Sequence, residues 1–484
     1  MNRIRLHATA FLAGTLLLAS GNAGAVDRTV PPVPGPVRPL KLPPVKRVAL
    51  SNGLPVLIVE SHEVPIVTLV LLIKSGAAED PLPKIGLAAL TAGMLDEGAG
   101  GKNSLALDDA LSYLGADLKA AATWDGSIVD MEVPVARLEA ALPLMADVAL
   151  RPDFPAKELE RVRRDELTGI LEARSEPRQI ASWGLSRAIF GKGHRYGSPA
   201  DGDATSLAAL SVADLRSFHE KHYRPANATL IVTGDVQGAQ LVPLLEKAFG
   251  SWAAGGGAPA PVPAPAQLKG RKLWLVDKPG AAQSVIRIGR VGPDRRTSDY
   301  EVLEVMNTLL GGSFTSRLNN NLREQHGWAY GAGSGFDYRR TGGVFLAAAD
   351  VQSKSTGEAM VEFMKELERM KTPPTPKEIE RARNFLALRF AEQFETSRQM
   401  AAKLAEIVLY DLPIDTFDSF VPKALAVSSD QMVRAARAQI DTGNLAIVIV
   451  GDRATIEKPL QALKLGTFQV LSVDDVMGPA PKLE

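Results

Sequence analysis

The chain has 484 residues, 45% of them hydrophobic, which allows a large buried core and a length suited to about two to four domains. Lys plus Arg and Asp plus Glu number 55 each, so the net charge is zero and nothing points to nucleic acid or an anionic membrane as partner. Cysteine is absent, which excludes disulfide staples and a lipid-bearing cysteine after export.

Arg3 and Arg5 precede an apolar run over 8–19, and Ala23-Gly24-Ala25 supplies a small-x-small cleavage pattern. Residues 1–25 therefore read as a secretory signal peptide cut before Val26, with an apolar run too short to span a bilayer. The expected location is outside the cytoplasm, in a periplasm. Cleavage removes two basic residues and leaves a net charge of −2. Residues 26–45 are proline-rich and predict an extended leader.

The first module is expected over 46–252. Residues 56–59 and 66–73 are β-branched runs that predict buried or half-buried strands. Asp96-Glu97-Gly98 reads as turn and cap chemistry. Helical spacing covers 104–114 and a charge-laced stretch over 155–174. A helix over 212–222 and a buried strand over 229–232 close the module. His219-Glu220-Lys221-His222 sits on that helix, but H-E-x-H matches no zinc-peptidase spacing, and the charged helix predicts a solvated face.

Residues 253–267 read AAGGGAPAPVPAPAQ and predict a linker, taken as 253–270, that cannot form a regular helix. A second module is expected over 271–470, then a tail over 471–484. The halves repeat. Lys157-Glu158-Leu159-Glu160-Arg161 matches Lys377-Glu378-Ile379-Glu380-Arg381, and Arg178-Gln179-Ile180-Ala181 matches Arg398-Gln399-Met400-Ala401, both at an offset of 220. ATLIVTGD at 228–235 matches LAIVIVGD at 445–452, an offset of 217. Three ordered matches imply a duplicated module of about 200 residues. Each copy is α+β, a mostly antiparallel sheet with helices on one face.

The most informative stretch is 311–336. Phe314, Leu318 and Leu322 recur every four residues and predict an amphipathic helix over 313–325. Gly327 predicts a left-handed C-terminal cap. A strand follows with Trp328, Tyr330, Ala332, Ser334 and Phe336 on one face and Gly331, Gly333 and Gly335 on the other. Glycines on a strand face weaken a sheet unless something must approach closely. Arg323 and Tyr330 flank the turn.

These residues resemble the pitrilysin/insulinase metallopeptidase family, including mitochondrial processing peptidase, over about 45–470. The resemblance rests on Ser316-Arg317-Leu318, Leu322-Arg323-Glu324 and Gly327-x-x-Tyr330, with Asn52-Gly53-Leu54 and Ser75-Gly76-Ala77-Ala78-Glu79-Asp80 in support. It implies a clamshell of two modules, with Arg323 and Tyr330 holding substrate beside a zinc carried elsewhere. The family's zinc helix bears H-x-x-E-H. Here the matching helix over 86–94 reads GLAALTAGM, and its histidine slots fall on Ala89 and Gly93 and its glutamate slot on Ala92. Glu166, near the family's third ligand position, reads as a surface charge.

No metal or cofactor is expected in this chain. The resemblance implies a zinc-less subunit, with zinc in a homologous partner subunit, unfolded peptides as substrates, and Arg323 and Tyr330 as its contribution. A non-enzymatic periplasmic peptide-binding or structural subunit is the alternative.

Overall fold

The computed structural model describes residues 35, 40–257 and 261–483. The expected signal peptide, most of the expected leader and residues 258–260 of the linker lie outside them.

The first half forms a six-stranded sheet from β1 (Lys46–Ala49), β2 (Pro55–Glu60), β3 (Ile66–Ile73), β4 (Asp117–Ala122), β5 (Ser127–Pro134) and β6 (Ala228–Gly234). Its order is β1-β2-β6-β3-β5-β4. The second half supplies β7 (Lys272–Asp277), β8 (Gln283–Val291), β9 (Ala329–Asp337), β10 (Val344–Gln352), β11 (Ala446–Gly451) and β12 (Thr467–Leu471). Their order is β9-β10-β8-β11-β7-β12. Without the outer strands β1 and β12, the two sheets share one topology, β2-β6-β3-β5-β4 against β7-β11-β8-β10-β9. In each set one pair is parallel, β2 with β6 and β7 with β11. The remaining pairs are antiparallel. The matching sequences at 228–235 and 445–452 form the equivalent strands β6 and β11, so the repeat is visible in topology as well as in sequence.

The helices used below are α1 (Leu87–Gly93), α2 (Ala156–Ala173), α3 (Pro177–Phe190), α4 (Val212–His222), α5 (Pro376–Arg389), α6 (Ser397–Leu409) and α7 (Val473–Met477). Two of them are exchanged. α3 belongs to the first half by sequence but packs on β8 and β11 of the second sheet. Its repeat partner α6 packs on β3 and β6 of the first. Each sheet therefore has a helix of the other half on the face its own helices leave, whereas sequence patterning predicts helices on one face alone. This explains the unbroken apolar run of β3. Val67, Leu69, Leu71 and Ile73 join the core of the first half. Thr68, Val70 and Leu72 alternate to the opposite face and are also buried.

The repeated arginines tie each exchange. Arg178 of α3 reaches Asp350 on β10 at 2.5 Å, and Arg287 meets the same carboxylate at 3.2 Å. Arg398 of α6 meets Asp130 at 2.6 Å and Asp117 at 3.0 Å on the first sheet. Gly184 lets α3 lie close, since a Cβ there would sit 3.0 Å from Val448 on β11. Gly184→Leu should lower stability by about 1–3 kcal/mol through overpacking. Gly169→Ala on α2, where a Cβ meets nothing within 4 Å, should raise it by up to about 1 kcal/mol. Urea midpoints of the two variants check the contrast.

A second junction centres on Asp125, only 2% exposed. Its carboxylate accepts the Arg340 backbone N–H at 2.9 Å and the hydroxyls of Tyr410 at 3.2 Å and Tyr196 at 3.4 Å. The Arg340 guanidinium donates to the carbonyls of Asp125 at 2.8 Å and Lys74 at 3.2 Å. Burial, opposed by Arg340, raises the Asp125 carboxyl above its usual range. The stretch expected as a tail contains a helix. α7 lies within 471–484, and its Val476 and Met477 are buried in the second core beside α3. Among the described residues no helix is long and apolar enough to cross a membrane.

Candidate functional site

The stretch around Arg323 departs from a regular helix. Residues Thr308–Gly312 and Asn320–Gln325 wind as π-helix, with a single α-turn, Arg317–Asn319, between them. Leu318 and Leu322 are fully buried as their spacing predicts, but Phe314 is 64% exposed. The cause lies in Asn319 and Asn320, whose amides compete with the helical ladder. Asn319 Nδ2 donates to the Phe314 carbonyl at 2.6 Å and Asn320 Nδ2 to that of Thr315 at 2.9 Å. Asn321 Nδ2 donates to Glu362 at 2.7 Å and Glu366 at 3.0 Å. Arg317 anchors the turn through both oxygens of Glu378, at 2.9 and 3.1 Å. Burial alone would raise the Glu378 carboxyl, but Arg317 and the Thr375 N–H and hydroxyl hold it at about 2.

Arg323 and Tyr330 meet. The Arg323 guanidinium carbon lies 5.3 Å from the Tyr330 ring centre and 4.6 Å from that of Phe314. Its nearest carboxylate is Glu324 at 3.4 Å. Gly327 has φ +65° and returns its N–H to the Arg323 carbonyl at 2.9 Å, the expected left-handed cap. Tyr330 is 88% exposed, so its hydroxyl is available to a ligand. Phe314 is the member of this group that sequence reasoning placed on a buried stripe. The turn at 313–316, set by the asparagines, turns it outward instead.

The strand does not alternate cleanly. β9 bulges against β10 between Ala329 and Ala332, so Trp328 and Tyr330 do not continue the face of Ala332, Ser334 and Phe336. Asn319 Oδ1 accepts the Ala332 N–H at 3.2 Å beside this bulge. Part of the glycine pattern serves the chain itself. A Cβ on Gly311 would fall 2.2 Å from the Ser334 backbone nitrogen, and one on Gly333 3.2 Å from the Gly311 carbonyl. Gly335 has open space.

At the zinc-helix position, α1 carries Ala92 fully buried, Ala89 half-buried and Gly93 exposed. Zinc requires imidazole, thiolate or carboxylate donors, and two methyl groups and a hydrogen provide none. These residues do not fit the metal. Glu166 projects from α2, where partial burial, then Asp201 and Asp165, push its carboxyl up. Glu97 pairs with Arg161, a structural use for that carboxylate.

The stretch leading into α1 is well tied. Asp80 accepts the N–H groups of Gly86 at 2.8 Å and Ala88 at 3.0 Å, which lack helical partners, and pairs with Arg195 at 3.0 Å. His219 and His222 are buried, a correction to the solvated face expected for them. Leu215, Phe218, His219 and His222 form the buried stripe of α4, which packs on α1. That i, i+3, i+4, i+7 spacing was readable in the sequence. His219 Nε2 bonds the Ala149 carbonyl at 2.9 Å, and His222 Nδ1 lies 2.9 Å from the Ser75 hydroxyl and 3.4 Å from Glu79.

Asp80 and His222 set opposing pH dependences. Burial pushes the Asp80 carboxyl up to about 6, against Arg195 and the two N–H donors. Burial pulls His222 down to about 4. Between these values the folded chain holds a proton at Asp80 that the unfolded chain releases, so this term stabilises as pH falls. The unfolded chain holds a proton at His222 that the folded chain refuses, so that term destabilises. Each is worth about 3 kcal/mol across the window and they nearly cancel. Asp80→Asn should make stability fall on acidification from pH 6.5 to 4, and His222→Gln should make it rise. Denaturant midpoints across that range check the signs.

The family model described as insulinase, peptidase family M16, matches residues 55–199, and that described as the peptidase M16 inactive domain matches 209–386. An uncharacterised zinc protease of Mycobacterium leprae is 26% identical over 276 residues, 57% of this chain and 62% of that protein, so the match spans under two thirds of its length. A non-peptidase homologue of Helicobacter pylori is 21% identical over 82% of this chain and 92% of its own. The solved structure of a peptidase M16 inactive domain from Pseudomonas fluorescens superposes with TM-score 0.79 at 27% identity, covering 84% of this chain and 98% of that one.

Proposed function

The chain belongs to the insulinase-type peptidase family M16, and from that premise we propose that it is the zinc-less subunit of an exported heteromeric metallopeptidase. The observation that carries this reading is a contrast within one molecule. The helix at the zinc position carries no donor, while Arg323 and Tyr330 lie together, with Tyr330 exposed and Arg323 half-buried. A homologous partner with H-x-x-E-H supplies the zinc and the attacking water. This chain supplies hydrogen-bond donors. Peptide hydrolysis builds negative charge on the scissile carbonyl oxygen, and the Tyr330 hydroxyl donates to it. Arg323, with five N–H donors and its guanidinium carbon 4.6 Å from the Phe314 ring centre and 5.3 Å from that of Tyr330, holds a neighbouring peptide carbonyl. Substrates are unfolded peptides. Export follows from the signal-peptide pattern of residues 1–25.

The alternative, a non-enzymatic periplasmic peptide-binding or structural subunit, draws support from the non-peptidase relative. Affinity purification of the tagged chain from its own periplasm separates the two. Stoichiometric recovery of a homologue carrying H-x-x-E-H supports the peptidase reading. Recovery of the chain alone contradicts it.

A further inference from the structure

A cavity of about 370 Å³ opens on the helical layer of the first half, between the end of the helix Leu138–Leu150, α4 and the turn at Ser251 and Trp252. Its size falls within the range of small-molecule sites. Four aromatic rings line it. His219 stacks on Tyr223 with centres 4.6 Å apart, Phe154 meets His219 edge-on at 5.8 Å, and Trp252 is 6% exposed.

Two further features are unusual. Phe154 has φ +47° although it is bulky and precedes Pro155, a combination that costs on the order of 1–3 kcal/mol. The strained turn is held by Arg216, which donates to the Asp153 carbonyl at 2.5 Å. The second feature is Arg224. It lines the cavity half-buried, and among the described residues no carboxylate lies within ion-pairing distance of it and its side chain makes no hydrogen bond. Arg151 on the rim is already matched by Asp147. Glu220 is the single acid in the lining, against the guanidinium groups of Arg216 and Arg224.

We propose that this cavity binds a carboxylate carried on an aromatic or aliphatic body, with the acid on Arg224 and Arg216 and the body on the rings of Phe154, His219, Tyr223 and Trp252. A guanidinium fork matches a planar carboxylate, and a half-buried cation without a counter-ion is stabilised by receiving one. The site is independent of Arg323 and Tyr330.

Calorimetric titration of the purified chain with N-acetyl-L-phenylalanine and with its neutral amide tests this. The acid should bind at least tenfold tighter than the amide, and Trp252→Phe should remove the accompanying fluorescence change. Arg224→Gln should bring the acid down to the amide's level. Glu220→Gln should tighten the acid severalfold, a gain that damage to the fold would not produce. A pentapeptide ending in phenylalanine, free and amidated, assigns the source. Discrimination between its two forms points to peptide chain ends, and binding of the small acid alone points to free metabolite-sized acids. Equal affinity for acid and amide, or no binding of any acid, overturns the proposal.

Discussion

Replacing Tyr330 by Phe should lower kcat/KM of the proposed two-subunit peptidase about 100-fold and leave the complex intact. The substitution removes one hydroxyl and nothing else. Tyr330 is 88% exposed, so no buried contact is lost, and the phenyl ring still lies over Arg323. A donor aimed at charge that develops only in the transition state acts on kcat rather than KM. The expected signature is a fall in kcat with KM nearly constant and an unchanged melting temperature of this subunit. Arg323 differs, because its proposed hold on a peptide carbonyl would stabilise ground and transition states alike. Arg323→Lys loses the planar fork and the stack on Phe314 and Tyr330, so KM should rise. Wild-type turnover by the Tyr330→Phe pair would remove Tyr330 from the chemistry.

Asp125→Ala destabilises the fold by about 3–5 kcal/mol, the largest effect expected from one substitution. The carboxylate accepts three donors from both halves of the chain, and truncation leaves the Arg340 N–H and two tyrosine hydroxyls without it. Asp125→Asn keeps an acceptor and should cost less than half as much. Arg340 also lies 3.7 Å from Glu79, one residue before Asp80, which caps α1. The junction therefore links the turn after β9, the strand that carries Tyr330, to the approach to α1. Denaturant unfolding of the two variants measures the ranking, and midpoints equal to wild type for Asp125→Ala would show that the exchanged helices hold the halves together without this node.

Much of this architecture was legible in the sequence because local pattern dictated it. The offsets of 220 and 217 marked the duplication, and the apolar runs at 56–59 and 66–73 became β2 and β3. Gly327 needed positive φ, and the slots at Ala89, Ala92 and Gly93 were chemically empty on inspection. Other features depend on distant partners. The match of Arg178 with Arg398 showed that α3 and α6 are repeats, but not that each lies on the other's sheet, since an arginine pairs equally well with an acid of either half. Regular spacing over 313–325 predicted an α-helix. Asn319 and Asn320 instead bond the backbone carbonyls of Phe314 and Thr315, the chain winds as π-turns, and Phe314 is exposed. Glu220 and Lys221 beside His219 and His222 point to a solvated face, but the stripe Leu215, Phe218, His219 and His222 is the face that packs inward.

The central claim is that this chain completes a catalytic centre whose zinc belongs to another chain. It is tested most directly by measuring zinc content and peptidase activity on the purified chain alone and again after mixing with a homologue bearing H-x-x-E-H. The account predicts no stoichiometric zinc and no hydrolysis of an unstructured peptide by the chain alone, and turnover from the mixture that depends on Tyr330. Stoichiometric zinc with peptidase activity in the isolated chain would contradict it.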